Sequence, residues 1–321
     1  MAGRGEFDLI AELFAPLATD PAALGLTDDG AVLSAGGDDL VVVKDALVEG
    51  VHFLADDPPA TVAQKALRVN LSDLAAMGAR ATHYLLALVR PARLDDAWLD
   101  AMVEGLKADQ AAYGVSLLGG DTVATPGPLV LSVTALGRVP PGAALTRAGA
   151  APGDDVWVSG TLGDAALGLG VLRGGWAPPE DAAAALVNRY RLPQPRLALG
   201  EALRGVATAC QDVSDGLVQD LGHIAARSGV AVTLDADAVP LSDAARDAPQ
   251  ALVAALTGGD DYELVFTAPP ERRLQVQGLA RTLALPLSRI GRTATGGGVV
   301  VLGESGAPLA LDRRGWSHGW N

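Results

Sequence analysis

The stretch that most constrains this fold is Val41–Phe53, V-V-V-K-D-A-L-V-E-G-V-H-F. Three β-branched residues in a row read as a buried strand, and the run ends on a carboxylate at Asp45. Glu49, a glycine and His52 follow, so several groups that bind or ionise stand behind one hydrophobic run. A strand end fixes a carboxylate while the adjoining loop keeps it accessible, which suits a metal or phosphate site. The same pattern also describes a solvated strand end, and this stretch alone leaves both readings open.

The remaining acids recur in similar surroundings. Asp29, Asp45, Asp121, Asp212, Asp215 and Asp260 sit at strand ends or in turns flanked by glycine. Taken singly, each is explained by turn chemistry. Asp73 is different, because it falls inside a helix expected from Pro58-Pro59 to Met77 and stopped by Gly78. At 100° per residue, Ala63, Leu67, Leu71 and Leu74 form its buried stripe, and Lys65, Arg68 and Ser72 fall on the opposite face. Asp73 lies on the flank, where a partly buried acid needs a basic side chain or a cation. In D-V-S-D, Asp212–Asp215, two acids flank a hydroxyl at a helix start, where the serine also suits an N-cap. Carboxylates of this kind suit Mg²⁺, while the lack of Cys and His clusters argues against zinc.

The same periodicities sketch the rest of the chain. An amphipathic helix is expected over Phe7–Leu17, strands over Leu85–Val89, Val115–Leu118 and Leu129–Val139, and a helix from Asp95 to Tyr113. Val115–Leu118 is expected to end on Gly119-Gly120-Asp121. The second half opens with a strand at Asp155–Ser159 and a glycine-rich turn into a helix, which suits either a tight turn or an anion at the helix N-terminus. Arg289–Leu302 reads as a hairpin about Gly296-Gly297-Gly298. With 321 residues, about two domains of ~150 residues are expected.

A formal charge of −14 repels phosphates, so nonspecific nucleic-acid binding is excluded and a phosphate-binding enzyme would need cations. No apolar run approaches the ~18 residues a membrane span needs, and the charged N-terminus does not read as a signal peptide. With a single cysteine, Cys210, a cytoplasmic location is expected. Neither a P-loop nor the protein-kinase motif set is present.

An ordered series of motifs nevertheless resembles one family. G-E-F-D-L-I, D-D-G-A-V, K-D-A-L-V-E-G-V-H-F, K-A-L-R-V-N-L-S-D-L-A-A-M-G-A, L-L-G-G-D-T, A-L-T-R-A-G-A-A-P-G-D, D-V-S-D-G-L-V-Q-D-L-G-H-I, G-G-D-D-Y-E-L and G-W-S-H are similar to those of the thiamine-monophosphate kinases. That family shares a fold superfamily with aminoimidazole ribonucleotide synthetase and selenophosphate synthetase. The resemblance implies an α/β (α+β) chain of two domains. Residues 1–148 would carry a mixed sheet with helices on one side, ATP and Mg²⁺ binding and dimerisation. Residues 149–321 would form an α/β domain completing the nucleotide and substrate site.

The implied activity is ATP-dependent, Mg²⁺-dependent phosphorylation of thiamine monophosphate to thiamine diphosphate, by a homodimer. By motif position, Asp29, Val43, Lys44, Asp45, Asp73, Asp121, Asp212 and Asp215 would surround several Mg²⁺ ions. Tyr113, Gly120, Asp121, Arg147 and Ser214 would contact ATP, and His52, Asp260 and Trp316 would line the acceptor site. The acceptor is a phosphate monoester, already ionised at neutral pH, so no general base is called for; positioning, cations and Arg147 handle the charge. Where the family pattern has two hydroxyl residues this chain has Val43 and Lys44, so a hydroxyl ligand is missing and Lys44 offers its charge to phosphate instead. Asp260 stands where a Glu is common. The alternatives are another ATP-using enzyme of the superfamily, of the aminoimidazole ribonucleotide synthetase type, or a nucleotide-binding protein without turnover. Selenophosphate synthetase and the hydrogenase-maturation members are disfavoured, since no cysteine stands near the N-terminus or in the closing G-W-N.

Overall fold

The computed structural model describes residues 24–317 apart from 26 and 35. The helix expected over Phe7–Leu17, and His318 and Trp320 of the tail, lie outside the described residues.

The first half is built on a five-stranded sheet of order β1-β2-β5-β3-β4. Its strands are β1 (Ala31–Ser34), β2 (Asp39–Val48), β3 (Arg80–Pro91), β4 (Ser116–Thr125) and β5 (Val130–Val139). Only β3 and β4 run parallel; the other pairs are antiparallel. Strand side chains alternate between faces, so Val41, Val43 and Leu47 of β2 enter the core together. Helix α1 (Pro59–Ala76) covers that face with Leu67, Leu71 and Leu74, each fully buried; burying one such side chain contributes roughly 1.5–3 kcal/mol. Helix α2 (Asp96–Tyr113) packs beside α1, capped by Asp95, whose side chain accepts the Trp98 N–H.

The second half is a six-stranded sheet of order β11-β8-β10-β6-β9-β7. Its strands are β6 (Asp155–Ser159), β7 (Ala209–Asp212), β8 (Val230–Asp235), β9 (Leu264–Ala268), β10 (Leu287–Thr295) and β11 (Gly298–Leu302). Helices α3 (Asp164–Leu172), α4 (Glu180–Arg191), α5 (Leu197–Leu203), α6 (Leu217–Ser228), α7 (Ala251–Thr257) and α8 (Arg273–Thr282) complete it. It has its own core, in which Val156, Leu217, Leu221, Ile224 and Val265 meet.

Three local expectations are corrected. β10 and β11 do not form a hairpin: β8 inserts between them, antiparallel to β10 and parallel to β11. The alternating apolar residues of β10 and β11 pack equally well on either side of a shared partner strand, so the pattern does not choose. The strand expected to stop at Leu118 continues through Gly119-Gly120-Asp121 to Thr125. That pairing requires glycine at 120, because a Cβ there would stand 1.8 Å from the Leu86 carbonyl oxygen. Finally, Lys65 and Ser72, placed opposite the apolar stripe of α1, are buried. The second half covers that side: α1 contacts β2 and β5 of one sheet as well as α5 and β7 of the other half. The polar face of α1 is therefore a floor on which the two halves meet.

Candidate active site

Three acids from separated parts of the chain converge on that floor. Asp29 precedes β1, Asp73 sits in the last turns of α1, and Asp212 ends β7. One carboxylate oxygen from each lies within 4.8 Å of the others. Asp212 is fully buried, and the Asp29 Oδ2 atom is buried without a hydrogen-bond partner among the described residues. Burial, then the neighbouring Asp29, pushes the Asp212 carboxyl up to about 8. Burial, then Asp45, Asp212 and Asp29, holds the Asp73 carboxyl well above the usual carboxylate range. Like charges this close, with a buried oxygen left unpaired, form a set of hard donors that fits a divalent cation such as Mg²⁺.

The surrounding residues hold these acids in place. The Arg147 guanidinium pairs with Asp29, and its backbone N–H donates to both oxygens of Asp28 at 3.1 and 3.3 Å. Burial, then Asp29, raises the Asp28 carboxyl to about 6. The Ser72 hydroxyl donates to Asp212 Oδ2 at 2.6 Å, and the Asn70 side-chain oxygen accepts the Asp45 N–H at 2.9 Å. Asp45 shares the face of β2 that carries Val43 and Leu47, and its charge reaches both Asp73 and Asp212.

The Asp212–Asp215 turn is shaped from below by Asp220. One carboxylate oxygen of Asp220 accepts the backbone N–H groups of Ser214, Asp215 and Gly216, and the other accepts Gln211 Nε2. This carboxylate occupies the N-terminal end of α6, which would otherwise attract an anion. The C-terminal segment docks on the same turn: Trp316 N–H donates to the Asp215 carbonyl at 2.9 Å. Gln219 Nε2 bridges Asp215 Oδ2 at 3.0 Å and the Trp316 carbonyl at 2.7 Å.

In the loop after β2, His52 Nδ1 accepts the Val48 N–H at 3.0 Å, which puts the ring proton of the neutral form on Nε2. The loop with Asp260 faces it from the second half. Asp260 and Tyr262 both adopt left-handed backbone, φ 71° and 50°, at a cost on the order of 1–2 kcal/mol each. Their N–H groups bond the Ser214 and Val213 carbonyls at 2.8 Å, which fixes this loop to the Asp212–Asp215 turn.

Several residues expected in the site stand elsewhere in the single chain. Val43 is an apolar core residue. Lys44, its neighbour on a strand, points to the opposite sheet face and donates to Ser132 Oγ at 2.7 Å and Thr134 Oγ1 at 3.4 Å. Gly120 and Asp121 are exposed on the edge strand β4. The register Asp45–Val133–Leu86–Gly120 places Gly120 three strands from Asp45, about 14 Å at the usual strand spacing. Tyr113 lines a separate cleft of about 460 Å³ together with Arg80, Arg196, Leu197 and Leu285. The helix start after Gly160–Gly163 is filled by the chain itself, since Asp261 accepts the N–H groups of Gly163 and Ala165 at 2.7 and 3.4 Å.

Lys65, Asn70, Ser72, Asp28, Gln219, Asp220 and Tyr262 were not singled out from the sequence. The first three share α1 with Asp73, and a helix whose every face carries buried groups betrays itself only by polar residues that no apolar stripe explains. Tyr262 reaches the acids from the second half. Burial, then Asp260, Asp45, Asp212 and Asp73, keeps its phenol protonated.

The chain matches the AIR synthase related protein, N-terminal domain, over residues 27–139, and the AIR synthase related protein, C-terminal domain, over residues 151–304. It is 45% identical over 323 residues to a thiamine-monophosphate kinase of Caulobacter vibrioides, covering 98% of this chain and 91% of the relative. Among solved structures it is similar to the thiamine-monophosphate kinase from Stenotrophomonas maltophilia K279a, with 47% identity and a TM-score of 0.79 over 89% of this chain and 93% of that one. It is also similar to AaThiL complexed with AMPPCP and TMP, with 32% identity and a TM-score of 0.87 over 98% of this chain and 97% of that one.

Proposed function

The chain belongs to the thiamine-monophosphate kinase family of AIR synthase related proteins, and from that membership we infer that it transfers the terminal phosphoryl group of ATP to thiamine monophosphate, giving thiamine diphosphate. The observation that carries this reading is the convergence of Asp29, Asp73 and Asp212 in the cleft between the two halves, with one buried oxygen left unpaired.

The reaction brings two polyanions together and spreads charge over the group in flight. Mg²⁺ held by these acids would neutralise that charge. Asp29, Asp73 and Asp212 would hold the cations, with Asp45 and Asp215 extending the set. Val43 and Lys44 offer a cation only their backbone carbonyls, because the side chain of one is apolar and that of the other points away. Arg147 steers Asp29 and presents a planar cation to the nucleotide phosphates. Ser214, held by Asp220, lies beside them. On the acceptor side, His52 donates from Nε2 to the thiamine phosphate, Asp260 faces it, and the Trp316 indole stacks on the cationic thiazolium. The acceptor phosphate attacks without a general base.

The finer points follow the same reading. The division near residue 148 is supported by a core on each side of it, and a third cluster joins Ala75, Ala76 and Leu145 to the second half. A homodimer is supported by the open sheet of the first half, where Leu33, Leu85, Leu117, Leu118 and Val123 are exposed. A second copy on that sheet would also bring Tyr113, Gly120 and Asp121 into use at a shared site. A cytoplasmic location is supported by the single, buried cysteine. The test is direct: purified protein with ATP, Mg²⁺ and thiamine monophosphate should form thiamine diphosphate, stop on addition of EDTA and resume with excess Mg²⁺. ATP hydrolysis without that product would defeat the reading.

A further inference from the structure

Lys65 is a buried lysine at the meeting point of the two halves, with a side chain only 2% exposed. Its ammonium donates to the His52 carbonyl at 2.9 Å and to Asp260 Oδ2 at 3.0 Å. It also lies 3.8 Å from the centroid of the Tyr190 ring. An ammonium has three donors; two are used on the oxygens and the third side is covered by the aromatic face. Lys65 therefore has no donor left for a phosphate. What it holds is the acceptor side: the loop that carries His52, and Asp260 of the second half, whose backbone is left-handed. Tyr190 closes the arrangement, with its hydroxyl 3.5 Å from the same His52 carbonyl.

We propose that Lys65 is a positioning residue for the acceptor, tying the His52 loop and Asp260 to one point on α1 and so setting the width of the thiamine-phosphate pocket across the two halves. The proposal rests on the placement of the acceptor at His52 and Asp260. A cation buried on one helix fixes two walls that the backbone of neither half connects. Removing it frees the Asp260 carboxylate and lets the His52 loop drift, while the backbone bonds from Asp260 and Tyr262 to Ser214 and Val213 remain and the acids that hold the nucleotide side keep their own partners, Ser72, Asn70 and Arg147.

Steady-state kinetics of Lys65→Met, Lys65→Arg, Tyr190→Leu and His52→Ala, with ATP and thiamine monophosphate varied in turn, test this. Lys65→Met should raise KM for thiamine monophosphate by ~10- to 100-fold, the range typical for loss of groups that orient a ligand shell, with KM for ATP changed less than about twofold. Lys65→Arg should recover part of the loss, because a guanidinium still reaches both oxygens. Tyr190→Leu, which keeps the lysine and removes its aromatic cover, should shift the same KM in the same direction and carries the test if Lys65→Met does not fold. KM values for ATP and thiamine monophosphate that rise together, or a fall in kcat alone, would overturn the positioning role. A rise in His52→Ala without one in Lys65→Met defeats this proposal alone. No rise in His52→Ala defeats the acceptor placement itself, and no turnover by the unaltered chain defeats both.

Discussion

Asp29, Asp73 and Asp212 crowd together with the Arg147 guanidinium at Asp29, whereas Glu263, fully buried, is shared by Arg189, Arg196 and the Ser159 hydroxyl. Asp29, Asp212 and Glu263 stand at or beside strand ends, and Asp73 lies in the last turns of α1. The difference lies in satisfaction. Glu263 has its charge balanced by two guanidinium groups and its oxygens used, so it joins β9 to α4 and nothing further is required of it. Among the described residues the three aspartates have only the Arg147 guanidinium paired with them, at Asp29, and Asp29 retains an unused oxygen. A saturated buried acid marks structure, and an unsaturated cluster marks a place built for a ligand.

The comparison can be broken most forcefully at Glu263. Glu263→Ala takes the shared carboxylate from Arg189 and Arg196, both mostly buried, and should lower unfolding stability by about 3 kcal/mol, read as a shift of the urea midpoint at constant slope. A loss below about 1 kcal/mol would mean that Glu263 is not structural. Next in size, Asp73→Asn and Asp212→Asn should each reduce kcat by at least ~100-fold with circular dichroism unchanged. Near-normal turnover at saturating Mg²⁺ in either variant would remove it from the metal set.

Stability should move the other way at the cluster. Asp212 keeps a proton in the folded chain up to about pH 8, while the unfolded chain releases it near 3.8. The folded state thus binds more protons across that window, and stability of the metal-free protein falls as pH rises through it. Asp212→Asn should therefore raise the Tm in EDTA at pH 7.5, by roughly 2 °C or more, and Mg²⁺ should raise the Tm of the unaltered chain more than that of the variant. A lower Tm for the variant in EDTA would show that the crowding carries no penalty.

His52→Ala should raise KM for thiamine monophosphate more than it lowers kcat, about tenfold as for one lost orienting contact. If the variant instead lost the acid limb of the pH–rate profile, His52 would be acting as a base. The smallest effect belongs to Asp155, whose carboxyl is held below the usual range by Arg273, with burial opposing and Arg289 assisting. A depressed carboxylate stabilises above its unfolded value and loses that contribution as pH falls through the folded one. Because both arginines are about half exposed, Asp155→Asn should cost less than about 1 kcal/mol at pH 7 and nothing in strong acid, as denaturant melts at the two pH values would reveal.

Most elements were legible because their signals are local. Three β-branched residues before Asp45, the Pro58-Pro59 entry and Gly78 exit of α1, and the turn at Ser214-Asp215-Gly216 each fix their own conformation within a few residues. The β10–β11 pairing and the length of β4 were not legible, since a strand does not carry the identity of its neighbour. The site was legible as a set of acids and, through the ordered motifs, as a family site. Its arrangement was not: period-2 alternation sends Lys44 away from Asp45, and sheet order leaves Gly120 three strands from it.

By itself, then, the sequence determined that the chain is a two-part α/β protein with acids at its strand ends and a charge balance calling for cations. Only the tertiary structure decided which acids share a site, because proximity of Asp29, Asp73 and Asp212 depends on how two separately cored halves close on the two faces of one helix. It decided the role of Lys65 for the same reason. A lysine opposite an apolar stripe faces water in an isolated helix, and faces His52, Asp260 and Tyr190 once a second domain covers that side.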